Sequence, residues 1–352
     1  MNSDLASIYT PAAWQALEHF PVQAESIELV DHSENLTYRV RVRDRESDYV
    51  LRLHRPGYNS LEELECEREW VSALIDAGLS VPVPLVTRDG THFVLIGISC
   101  TNEKRYVGMT TWLEGVPLRR CPEIRSDTRK RAWVFHRIGE IVAAMHNQAT
   151  RWTGPPGFIR PKLDLDGLLG DTPRWGRFWE YADLPVGGQE RLLAARERLR
   201  VALSDYGITP DNFSLIHADL DSGNIIYDRG ELALIDFDDS AYGWHMYDVA
   251  SALIEYCSDS DFEALRAAML DGYLEHRPLA QKDIEMLAAF LLLRGMATLG
   301  WYHDRPEHTG SRDLQNLRDW ILEQCETIQL RSPCARNNSK PLDRRGESHE
   351  TP

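Results

Sequence analysis

Ile216-His217-Ala218-Asp219-Leu220-Asp221-Ser222-Gly223-Asn224-Ile225-Ile226-Tyr227, a turn at Asp228-Arg229-Gly230, and then Leu232-Ala233-Leu234-Ile235-Asp236-Phe237-Asp238-Asp239 is the stretch that decides the reading of this chain. Two apolar runs on either side of a turn triplet fold as a β-hairpin. Asp219 and Asn224, five residues apart, stand before its first strand, and Asp236 stands at the end of its second. Phosphoryl transfer needs such a set. One carboxylate orients and deprotonates the attacking hydroxyl, while a neutral oxygen and a second carboxylate hold Mg²⁺ against the phosphates of ATP. Kinase catalytic loops space an Asp and an Asn in this way and place a further Asp after a hairpin. An isolated Asp-x-x-x-x-Asn arises by chance, and Asp and Asn are ordinary turn residues. The combination on one hairpin is far more specific. It makes Asp219 the candidate base and Asn224 and Asp236 the candidate metal ligands, with His217 bracing the loop.

Outward from this hairpin the order of elements fits a two-lobed α+β molecule. Alternation of apolar and polar residues predicts strands at Ser26–Val30, Leu36–Val42 and Tyr49–Leu53. Leu61, Leu64, Val71, Leu74 and Ile75 recur at helical spacing, so a helix is expected from Leu61 to Ala77, with Gly78 to stop it. Two more strands follow near Phe93–Ile96 and Tyr106–Thr110. After a connector at Trp112–Pro117 come helices near Lys130–Asn147 and 189–204, a Gly-, Pro- and Trp-rich irregular stretch at 150–189, and then, past the hairpin, helix to about Leu330. The expected organisation is a small antiparallel-sheet lobe over residues 1–110, a hinge at 111–117, a mainly helical lobe at 118–330, and a polar, disordered tail at 331–352.

Composition narrows the partners. A formal charge of -16 opposes binding to nucleic acid or to an anionic membrane. The six cysteines are scattered and form no C-x-x-C pair, which speaks for reduced thiols in a cytoplasmic protein. The N-terminal residues have no signal-peptide pattern, and the most apolar run, Met286 to Leu293, is too short for a membrane span. No G-x-x-x-x-G-K-[ST] occurs, so a P-loop kinase is not expected.

The hairpin segment resembles the signature of the aminoglycoside phosphotransferase superfamily, which includes choline, type II homoserine, hydroxylysine and bacterial stress-response Ser/Thr kinases. The similarity runs over roughly residues 20 to 325. It implies a protein-kinase-like fold, ATP and Mg²⁺, and the roles given above for Asp219, Asn224 and Asp236. Tyr247-Asp248 also matches, and implies that Asp248 supports the catalytic loop, a place where it would serve equally as a helix N-cap. Asp31–Asn35, with Ser33 and Asn35, resembles the phosphate-covering loop. Arg52 stands where the family has a phosphate-binding lysine, with Glu67 rather than Glu69 as its expected partner, and Ala218 stands where the family usually has glycine. The connector resembles the hinge, where the backbone at Thr111 and Leu113 would meet adenine. Asp239, Tyr242, Arg294 and Trp301 are candidates for the acceptor pocket. The acceptor is expected to be a small, amine-bearing hydroxyl compound. A Ser/Thr protein substrate, or a nucleotide-binding pseudokinase, are the alternatives.

Overall fold

The computed structural model describes residues 2–32, 35–43, 47–99, 101–308 and 312–327. The expected tail at 331–352 lies outside them. The chain opens with a helix absent from the sequence-based scheme, α1 (Asn2–Leu17), which carries Pro11 inside it. Strands β1 (Ala24–Asp31), β2 (Leu36–Val42) and β3 (Tyr49–Leu53) follow, then α2 (Leu61–Asp76), β4 (Phe93–Gly97) and β5 (Lys104–Thr111). These five strands form one antiparallel sheet in the order β1-β2-β3-β5-β4. The period-two pattern has its physical reason here. In β2 the buried residues Leu36, Tyr38 and Val40 alternate with Thr37, Arg39 and Arg41. The buried face packs with Ala13, Ala16 and Phe20 of the N-terminal segment into a small core of its own.

Helix α2 starts at a capping box: Ser60 accepts from the Glu63 amide, and Glu63 accepts from the Ser60 amide. Its buried residues Trp70, Val71 and Leu74 join the second, larger core, together with Val134, Phe135 and Ile138. The helix therefore belongs by packing to the helical part of the molecule, although it precedes β4 and β5 in the chain.

The connector includes a two-residue strand, β6 (Val116–Pro117), which pairs with the later hairpin. Gly115, at φ 112°, is the residue that admits this approach. A Cβ there would stand 2.5 Å from the Tyr227 carbonyl oxygen. Beyond it lie α3 (Pro122–Arg125), α4 (Thr128–Arg151), β7 (Lys162–Leu163), α5 (Leu165–Leu169) and α6 (Gly188–Tyr206). The 150–189 stretch is thus mostly irregular but holds β7, α5 and a 3-10 turn at Phe178–Glu180. Strand β8 (Phe213–Ile216) leads into the hairpin of β9 (Ile225–Asp228) and β10 (Glu231–Leu234). Arg229 and Gly230 both have positive φ and close the two-residue turn. β11 (Ala241–Trp244), α7 (His245–Leu253), α8 (Phe262–His276), α9 (Gln281–His303) and α10 (Arg312–Thr327) complete the described chain.

Helix α9 corrects the expectation that no stretch reaches membrane length. At 23 residues it is long and apolar enough, by length and composition, to cross a membrane. Its apolar residues pack into the large core instead. Leu287, Phe290, Leu293 and Met296 are all buried there, and 61% of its most apolar window is inside the protein.

Candidate active site

Between the sheet and the helical part lies one cleft of about 760 Å³, whose lining includes Arg52, Asp219, Asn224, Asp236, Asp239 and Arg294. That volume suits a nucleotide-sized ligand. The loop that carries Asp219 is held from below. Asp248, fully buried in the first turn of α7, accepts the amides of His217 at 2.8 Å and Ala218 at 2.7 Å. The N-cap of α7 is Trp244, so Asp248 is not the cap; its carboxylate serves the loop. A further partner, the His146 ring, lies 3.2 Å away. Burial pushes the Asp248 carboxyl up to about 6, tempered by His217 and the two amides.

His217 is fully buried. Its Nε2 lies 2.9 Å from the Ile235 carbonyl, which can only accept, so Nε2 carries the proton. Nδ1 is then free to accept the Asp219 amide at 3.4 Å. Burial lowers the His217 pKa and keeps the ring neutral, as this bonding requires. His217 thereby ties the loop to the end of β10. Ala218 pays in backbone strain for its place, with φ at 71°.

Asp219 is bound at both oxygens. The Arg294 guanidinium donates to Oδ1, and Asn224 Nδ2 donates to Oδ2 at 3.1 Å and to the Asp219 carbonyl at 2.8 Å. This leaves the Asn224 side-chain oxygen for a cation. Asp221, which the sequence reading did not single out, accepts the amides of Gly223 at 2.6 Å and Asn224 at 3.1 Å and so shapes the loop. Burial, then Asp219 and Glu255, push Asp221 up to about 7. Gly223 lies close under Arg119, whose guanidinium a Cβ there would meet at 2.6 Å and displace.

Asp236 faces Arg52 across the cleft at 2.8 Å and also has positive φ, 66°. Burial raises its carboxyl, and Arg52 opposes that rise. The sequence reading paired Arg52 with Glu67. No ion pair joins them here. Arg52 instead bridges Asp236 and, at 3.7 Å, Asp238, because the loop after β10 brings these carboxylates beneath β3. Glu67 lines the same cleft but keeps a buried Oε2 without a hydrogen-bond partner. Burial and the nearby Asp238 push its pKa well above the ordinary value. Glu69 is taken by Arg68.

Five other expected site residues remain to be placed. Asn35 lines the cleft; its side chain is buried, donates to Asp238 and accepts the Arg55 amide at 2.9 Å, so it also clamps the loop to the Asp238 segment. Ser33 lies outside the described residues. Thr111 lines the cleft, and its amide donates to the Val83 carbonyl at 2.9 Å, a bridge made by the extended Val81–Leu85 segment, so any backbone contact with adenine there falls to its carbonyl. Leu113 does line the cleft. Tyr242 is not among the cleft residues; it lies in β11, paired with Leu215 and Lys162, and the alternation of that strand carries its ring away.

In the same cleft Asp239 is bound by the Tyr58 hydroxyl, and Trp175, Trp301 and Arg294 belong to the lining. Burial first, and Asp219 next, push Asp239 up to about 6. Sequence reasoning also missed Arg160, in the irregular stretch. This buried residue donates to the carbonyls of Glu63 at 3.1 Å, Asp238 at 2.6 Å and Ser240 at 2.6 Å, and so ties α2 to the loop that carries Asp238 and Asp239. A buried arginine between distant carbonyls leaves no local pattern by which to find it.

Known proteins resemble this chain in sequence and in fold. The model of the phosphotransferase enzyme family matches residues 26–282. The solved structure of a microcompartment-associated aminopropanol kinase is 32% identical, with 90% of this chain and 95% of that one covered and a TM-score of 0.75. An amicoumacin kinase in complex with AMP-PNP, Ca²⁺ and Ami is 21% identical, covers 92% and 96%, and has a TM-score of 0.74. A homoserine kinase of Pseudomonas aeruginosa is 28% identical over 291 residues, covering 79% of this chain and 82% of that protein.

Proposed function

This chain belongs to the phosphotransferase enzyme family, and we propose that it moves the γ-phosphoryl group of Mg-ATP to a hydroxyl of a small, amine-bearing molecule. The observation that carries the reading is the convergence of Asp219, Asn224 and Asp236 with Asp239 on one cleft. The kinases named among the relatives act on small hydroxyl compounds, and the aminopropanol kinase points to an amine.

In this reading Asp219 takes the proton of the acceptor hydroxyl as the acceptor oxygen bonds to the γ-phosphorus and the bridging oxygen leaves with ADP. Asn224 and Asp236 suit a hard divalent cation, since both present oxygen on the cleft. Such a cation, here assigned as Mg²⁺, would neutralise charge on the phosphates. Arg52 turns from Asp236 to phosphate oxygens, where its planar fork suits them. Asp239, set by Tyr58, takes the ammonium of the acceptor, and Trp175 and Trp301 offer it aromatic faces. Residues 1–110 form the nucleotide side, 111–117 the hinge and 118–330 the catalytic side, acting in the cytoplasm on Mg-ATP.

The test is ³¹P NMR of Mg-ATP with 1-amino-2-propanol, homoserine and ethanolamine, with D219N as control. A new phosphomonoester that forms only with intact Asp219 is expected, with AMP-PNP affinity unchanged in D219N. Equal turnover by D219N removes the base assignment. Turnover only with amine-free alcohols removes the amine.

A further inference from the structure

Arg294 stands on α9, among the apolar residues that build the large core, and its side chain is 11% exposed. Its Nη2 donates to Asp219 Oδ1. The guanidinium sits over the Trp175 ring, 5.8 Å from its centroid. Trp175 in turn stacks on Tyr247 at 5.9 Å with the rings 7° from parallel. Tyr247 and Asp248 are neighbours in the first turn of α7, and Asp248 holds the amides of His217 and Ala218. The backbone of the loop is thus anchored on α7, and its carboxylate on α9 through a cation packed against α7. Asn224 takes the other carboxylate oxygen from a second direction.

The neighbouring charges make this anchor necessary. Asp221 and Asp239 both feel Asp219 as a like charge, and so does Asp236. Among the described residues, Arg294 alone forms an ion pair with Asp219. Without it, repulsion from three carboxylates would turn the Asp219 side chain out of its orientation, with only the Asn224 amide to resist.

We infer that Arg294 is a positioning residue, which holds the Asp219 carboxylate toward the acceptor hydroxyl and does not itself bind the acceptor. The inference rests on the assignment of Asp219 as base. A misplacement of about 1 Å costs roughly 10²-fold in rate, so R294M should lose about that much in kcat, and R294K, which restores the charge but not the fork, should recover part of it.

Mg-ATP consumption is measured for the parent, R294M, R294K, D219N and D219N/R294M, with 1-amino-2-propanol as acceptor probe and with water alone. AMP-PNP affinity and melting temperature are measured alongside. Expected are a fall in kcat for R294M with KM for the probe and AMP-PNP affinity within about twofold, partial rescue in R294K, no further loss when R294M is added to D219N, and non-additive melting shifts in the double variant. A raised KM for the probe with kcat preserved would make Arg294 an acceptor ligand and overturn the inference. So would a parental rate in R294M, equal loss in R294M and R294K, or additive rates and melting shifts. Parental turnover by D219N would instead remove the base assignment, and the inference with it.

Discussion

Asp239→Asn tests the acceptor side of the cleft through stability alone. The carboxyl is pushed from an ordinary 3.8 to about 6, by burial first and by Asp219 second. A carboxyl raised in the folded state favours folding while it is protonated. Its contribution is complete below the unfolded value near 4 and is lost as pH rises through about 6. At about 1.4 kcal/mol per tenfold in proton affinity, the gap corresponds to about 3 kcal/mol. Asparagine cannot ionise and keeps a shape that the Tyr58 hydroxyl can still bond. The stability of the variant relative to the parent should therefore rise by about 3 kcal/mol between pH 4 and pH 8, most of it before pH 6.5. Urea unfolding at several pH values, each variant against parent at the same pH, isolates this group from the others that titrate. Adding Asp219→Asn to both proteins should shrink the rise, because Asp219 supplies part of it. A difference that stays flat with pH, or falls as pH rises, would refute the claim that burial destabilises the Asp239 anion.

Ala218→Gly relieves left-handed strain of about 1 kcal/mol and loses a buried methyl of similar worth. It should melt close to the parent, whereas Ala218→Val, β-branched at φ 71° and without space, should melt far below it. A large loss in the glycine variant would contradict the strain assigned to this residue. Arg160→Met leaves several buried carbonyls without a donor, and should cost about 3 kcal/mol or more and lower turnover, as read by thermal melting and ATP consumption. An unchanged melting temperature would mean that those carbonyls find other partners.

The strands β2 and β3 were legible to the residue, because one buried face in a twisted sheet forces alternation on the sequence. The start of α2 at Leu61 was legible for a similar local reason, its apolar spacing. Asp219, Asn224 and Asp236 were readable as a group because their spacing along one hairpin carries the geometry. What escaped depends on contacts between distant parts of the chain. Asn35 meets Asp238, 203 positions later. Arg52 meets Asp236, 184 positions later. The Thr111 amide donates its hydrogen bond to a segment that returns from before β4. Helix α1 escaped for another reason, since Pro11 interrupts the local signal that the packing of Ala13, Ala16 and Phe20 overrides.

The allegiance of α2 bears on how the chain can be cut and how it assembles. Trp70 and Leu74 fill the core beneath the helical elements, so a fragment beginning at Trp112 would carry a hole where they belong and could not close it. The sheet fragment would in turn expose the Trp70 indole, Val71, Leu74 and Val81 to water. The connector, though it joins two cores, is no place for a division into separately expressed pieces. During synthesis, the nascent residues up to 111 must wait with the apolar face of α2 uncovered until α4 has emerged to receive it. That interval, rather than the finished protein, is where aggregation or chaperone capture would act.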